Sequence, residues 1–68
     1  MNNRTEVAKR LIEMWIARIA LFGDAIAEGM NEMAYAQGDI DDSTHDHYRV
    51  RISQEFAKRW AKAQGAAA

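Results

Sequence analysis

Between Asn3 and Gln37 the chain contains no proline and only two glycines, Gly23 and Gly29, among residues that are mostly Ala, Leu, Met, Glu, Lys and Arg. Those six types lose little on entering a helix, and an interior glycine costs only about 1 kcal/mol. The run therefore predicts one helix over residues 3–37, on the order of 50 Å long at 1.5 Å per residue. Gly38 stands where a left-handed residue would close it. Proline is absent from the whole chain, so a second helix over residues 43–64 is permitted, ahead of a tail, 65–68, that should fray. A break at Gly23 is the lesser alternative: it would give three helices, the front segment folding back over its own hydrophobic residues.

On a wheel of about 100° per residue, Val7, Leu11, Ile12, Trp15, Ile16, Ile19, Phe22, Ile26, Met30 and Met33 share one half of the first helix. Glu6, Lys9, Arg10, Glu13, Asp24, Glu28, Asn31 and Glu32 take the other. The second helix has a narrower stripe, Tyr48, Ile52, Phe56, Trp60 and Ala63. A short connection makes two such helices antiparallel neighbours, so the expected fold is an all-α helical hairpin, a single domain over residues 1–68. Folded about residue 40, the second helix ends opposite Ile19 and leaves the front of the first uncovered. Large apolar side chains left wet forfeit roughly 1.5–3 kcal/mol each. The expected remedy is a homodimer resembling a four-helix bundle, with Val7, Leu11, Ile12, Trp15, Ile16 and Ile19 as the self-association surface.

Size points the same way, because chains below roughly 70–80 residues usually need disulfides, a metal or oligomerisation to be stable. This one has 68 residues and no cysteine, which excludes a disulfide framework and thiolate zinc sites and fits a reducing, cytoplasmic setting. The most apolar stretch, Met14 to Phe22, is too short to span a bilayer and carries Arg18 at its centre. No membrane contact is expected.

The most polar stretch, GDIDDSTHDHYRVR over residues 38–51, invites a chemical reading. Calcium fails on spacing: a loop starting at Asp39 has Thr44 where a glycine is needed and Val50 where the bidentate glutamate belongs. Zinc fails because His45 and His47, two apart, point to opposite sides of a helix, and Arg49 would sit beside any ligands on the Asp42 face. Ser43, Thr44, His45 and Asp46 are consecutive, whereas a nucleophilic triad must converge from several directions. No enzyme activity, cofactor or metal is expected. The stretch reads instead as a turn and a helix start, with Asp42 or Ser43 as the cap and Asp46 completing the box. His45 and Arg49 lie on the apolar stripe and want partners.

Charge is segregated along the chain. Residues 24–46 carry seven acids and no base, and residues 49–62 carry five bases and one acid. Such an arrangement favours antiparallel contacts between copies and steers charged partners. The expected function is non-enzymatic: a small homodimeric module that binds and modulates a further, unidentified protein as an inhibitor, adaptor or regulatory subunit. Chains of this kind are common among phage and mobile-element proteins, an association only. Its partner-binding candidates are Met30, Met33, Tyr35, His45 and Arg49, methionine being adaptable at interfaces. Nucleic-acid binding through Arg51, Lys58, Arg59 and Lys62 ranks second, since no DNA-binding motif is present and the acids near the turn repel phosphate.

Overall fold

Two glycines decide where the backbone reverses. The computed structural model describes residues 3–67, except for the side chains at 64, 66 and 67. Among the described residues only Gly23 and Gly38 have positive φ, at 77° and 78°. The described residues form four helices and no strand: α1 (Asn3–Ala17), α2 (Ile19–Phe22), α3 (Ala25–Ala36) and α4 (Asp42–Ala67). The expected all-helical fold is present.

The expected unbroken helix over residues 3–37 is not. Its first interruption is slight: the Arg18 amide donates to the Trp15 carbonyl at 3.1 Å, a tighter step than the helical one, and the Arg18 guanidinium donates to the Met14 carbonyl at 3.1 Å. The second is a reversal at Gly23, whose φ of 77° and ψ of −172° suit glycine and strain any L side chain. No atom within 4 Å would meet a Cβ there, so backbone conformation and not space reserves the position. The energetic reason is one of magnitude. Breaking a helix at a glycine sacrifices little, whereas burying an isoleucine contributes roughly 1.5–3 kcal/mol.

Folding back at Gly23 lays α1 against α3, and α4 packs on both. Ile12, Ile16 and Ile19 join Ala27, Ala34, Ile40, Tyr48 and Ile52 in one core cluster, with Ala8, Trp15 and Met30 packed at its edge. This corrects the expectation that Ile12 and Ile16 lack cover in their own chain: both are buried here, as is Ile19. Val7 and Leu11 remain exposed, and Trp15 is half-buried, its ring meeting that of Phe22 edge-on at 5.5 Å.

The α3–α4 connection closes as the sequence implies at Gly38 and differs by one residue at the cap. Asp39 donates its amide to the Ala34 carbonyl at 2.9 Å and Gly38 donates to Tyr35 at 3.0 Å, the paired bonds of a Schellman turn. The cap of α4 is Asp41, not Asp42 or Ser43: its Oδ1 accepts the Thr44 amide at 2.8 Å. Hydrogen bonds from Thr44 hold the Asp41 carboxyl below its ordinary value. Burial of Ile40 fixes this choice, because it pulls the connection inward and leaves Asp41 at the helix entrance.

At its other end α4 continues to Ala67, through residues expected to fray; Ala68 lies outside the described residues. It has 26 residues against 15 for α1 and 12 for α3. Its core contacts stop at Ile52, and beyond that point Phe56 and Trp60 are exposed. Arg59 ties this far half to α2, donating to the Ala20 carbonyl at 3.2 Å. No helix among the described residues is long and apolar enough to cross a membrane.

Candidate functional site

Antiparallel packing of α1 on α3 leaves a groove of about 400 Å³ between them, and no α4 residue lines it. Val7 and Leu11, one turn apart on α1, form one wall; Met30 and Met33 on α3 form the other. Ala8, Ile12 and Ala34 make the floor. Arg4 and Asp39 close one end with an ion pair at 3.0 Å, beside Asn3 and Gln37. The walls are wet: Val7 is 51% exposed and Met33 62%. A hollow with these walls can shelter apolar side chains, and the charged groups among its described lining, Arg4 and Asp39, neutralise one another.

A second constellation lies where α3 meets α4. The Tyr35 hydroxyl donates to Asp42 Oδ1 at 2.5 Å, and this bond, with the charge behind it, raises the phenol above its ordinary value. His45 pairs with Glu32 through Nε2 at 2.5 Å and stacks on the Tyr35 ring, centroids 4.2 Å apart. Beneath them Asn31 is buried and donates from Nδ2 to the His45 carbonyl at 3.0 Å, while its Oδ1 has no hydrogen-bond partner among the described residues. Arg49 is turned outward to Asp46 at 2.7 Å, which lowers the Asp46 carboxyl and raises the guanidinium. Tyr35, His45 and Arg49 are therefore occupied within the chain, Tyr35 and His45 in joining α3 to α4. Met30 and Met33 alone of the partner-binding candidates line the groove.

The basic residues of α4 are scattered in a similar way. Arg51 approaches Glu13 at 3.9 Å and lies over the Tyr48 ring, Lys58 pairs with Glu55 at 3.4 Å, and Arg59 caps α2. Lys62 is exposed. Among the described residues no three His, Asp or Glu side chains are placed to hold a metal ion.

Met33, expected on the apolar face, is exposed, and Asn31, expected on the polar face, is buried. The available signal was its spacing: Ala27, Asn31 and Ala34 recur at four and three residues, a small-residue face along which α4 approaches closely.

Tyr48 joins α4 to α1, its hydroxyl donating to Glu13 Oε2 at 2.8 Å. Burial first, and then this bond, push the phenol from 10.0 up to about 12. A group whose folded value is raised stabilises fully below its unfolded value. That contribution, about 3 kcal/mol at most, is lost as pH rises from about 10 through about 12. Tyr48→Phe should thus flatten the alkaline limb of stability while costing about 1 kcal/mol at neutral pH for the lost bond. Thermal melts of both proteins at about pH 8 and about pH 11 check this; an alkaline limb equally steep in the variant would refute it.

Compared with protein-family models, curated proteins and solved structures, the chain matches none.

Proposed function

We propose that this chain is a non-enzymatic protein–protein interaction module that self-associates and that binds and inhibits another protein, receiving an amphipathic helix of that partner between α1 and α3. The observation that carries the reading is the wet apolar groove of Val7, Leu11, Met30 and Met33. A groove between two antiparallel helices accepts a third through anchors spaced three and four residues apart. Two flexible methionines on one wall let it adapt to the anchors it meets. The neutralised Arg4–Asp39 pair at its end offers polar contacts without imposing a charge on the partner. Because Arg51, Lys58 and Arg59 are engaged by Glu13, Glu55 and Ala20, the arrangement favours a protein over a phosphate backbone.

Met33→Asp tests the reading, since an exposed position tolerates the change within about 0.5 kcal/mol of stability. From a nuclease-treated extract of the encoding organism, the parent chain should retain one stoichiometric protein and the variant, with unchanged circular dichroism, should retain none. A variant that captures the same protein equally well, or a parent chain that captures nothing, would overturn it.

A further inference from the structure

We propose that the bend at Gly23 is an exchange hinge. Two copies open there, each α1 becomes continuous with its own α3, and each settles on the α3 and α4 of the other copy in an antiparallel four-helix dimer. The proposal rests on the self-association just inferred and specifies how it is built.

Four observations support it. First, only Gly23 must rotate far. Asp24 (φ −96°, ψ −13°) already lies in the right-handed helical region and Arg18 (φ −102°, ψ 9°) just outside it, and neither makes a side-chain capping bond that holds the ends apart. Second, the exchanged contacts are those already present, Ile12 and Ile16 in the core and Tyr48 on Glu13, now made between copies. Nothing new has to be designed, which is why exchange is a low-cost route to dimers. The straight form adds helical hydrogen bonds through the former bend.

Third, the Arg4–Asp39 pair sets the register of α1 against α3, and its midpoint falls between residues 21 and 22. Two straightened helices in that register cross at Phe22, which a 100° wheel places in line with Trp15, Ile19 and Ile26. Phe22 is 57% exposed here and would be covered there. Fourth, α4 is about twice as long as either helix it packs on and overshoots the bend. Continuing the α3–α4 register of His45 on Glu32 and Asp42 on Tyr35 along a straight helix sets Trp60 and Ala63 beside residues 14–17 of the same chain. Trp60, 61% exposed here, gains a neighbour.

Two substitutions at one position separate the states. Gly23→Ala disfavours positive φ and favours helix, and with two hinges per dimer the dissociation constant should fall by at least about 100-fold. D-alanine in place of Gly23, introduced by chemical synthesis, suits positive φ and resists the right-handed helix, so it should hold the monomer. Sedimentation equilibrium reads the mass. Isotope-filtered NOEs in an equimolar mixture of labelled and unlabelled chains read whether Ile12 meets Ala34 of another copy.

The expected result is a dimer for Gly23→Ala with that NOE between copies, and a monomer for the D-alanine chain. A Gly23→Ala dimer whose Ile12–Ala34 NOEs stay within one copy would overturn the exchange and leave self-association standing. Failure of the parent chain and both variants to dimerise at millimolar concentration would overturn the two together. If Gly23→Ala does not fold, a parent dimer that persists in the D-alanine chain refutes the hinge, and one that disappears supports it.

Discussion

Ile12→Ala should lower the free energy of unfolding by about 3 kcal/mol, and Leu11→Ala, one residue away, by less than about 1. Ile12 is 1% exposed and lies in the cluster with Ile16, Ala34 and Ile52, so truncating it removes buried methyl groups and leaves a cavity. Leu11 is exposed on the groove wall, where truncation removes contacts that water already shares. A domain of this size has only about 3–10 kcal/mol in total. The Ile12 variant should therefore melt at least about 15 °C lower and be partly unfolded under ordinary conditions. Denaturation by urea and by heat, repeated across a tenfold range of protein concentration, measures both. Small and equal effects at the two positions would mean that α1 is not packed on the rest of the molecule at all.

The contrast between these neighbours shows what the sequence could reveal. Helical content, the closure at Gly38 and the need of Ile12, Ile16 and Ile19 for cover all follow from local propensity and 3.6-residue spacing, which do not depend on the rest of the fold. The source of that cover does. Gly23 is as acceptable in a long helix as in a reversal by propensity alone, and the choice turns on the tertiary burial of three isoleucines.

Once the helix breaks, the phase of α3 is free of the phase of α1. A wheel drawn through both then misassigns α3: Met33 turns outward, while Ala27, Asn31 and Ala34 turn in. Four candidate capping residues stand consecutively from Asp41 to Thr44, and only the burial of Ile40 shows which one is used. Of the groove, Val7, Leu11, Met30 and Met33 are each legible in the sequence as apolar positions of a helical stripe. Their juxtaposition was not legible, because it is made by the bend. Tyr35, His45 and Arg49, the other candidates for an outside partner, each also contact a residue of their own chain, three to thirteen positions away, which local spacing does not reveal.

Asn31→Asp should cost about 3–4 kcal/mol near neutral pH and close to nothing in acid. The substitution is isosteric, so packing against α4 is unchanged and the effect is one of charge. At 1% exposure, a carboxylate here would be cut off from water, would face the His45 carbonyl that Asn31 now donates to, and would share a hollow with Glu28 and Glu32. Arg49 borders the same hollow, but turning inward would forfeit its pair with Asp46.

Burial and the neighbouring acids must raise the new carboxyl above its unfolded value of about 4. For a group so raised, the folded state is penalised as pH climbs through the folded value and is unpenalised below about 4, where the neutral acid can donate to the His45 carbonyl in place of the amide. Because Asp41 and Asp46 also titrate in acid, the quantity to measure is the difference in melting free energy between variant and parent at each pH. Asn31→Leu supplies the control. It deletes the unpaired Oδ1 along with the donor, and the His45 carbonyl keeps its bond within α4, so stability should stay within about 1 kcal/mol of the parent. If Asn31→Asp instead proves as stable as the parent at neutral pH, α3 and α4 are not in the close contact that puts Asn31 out of reach of water.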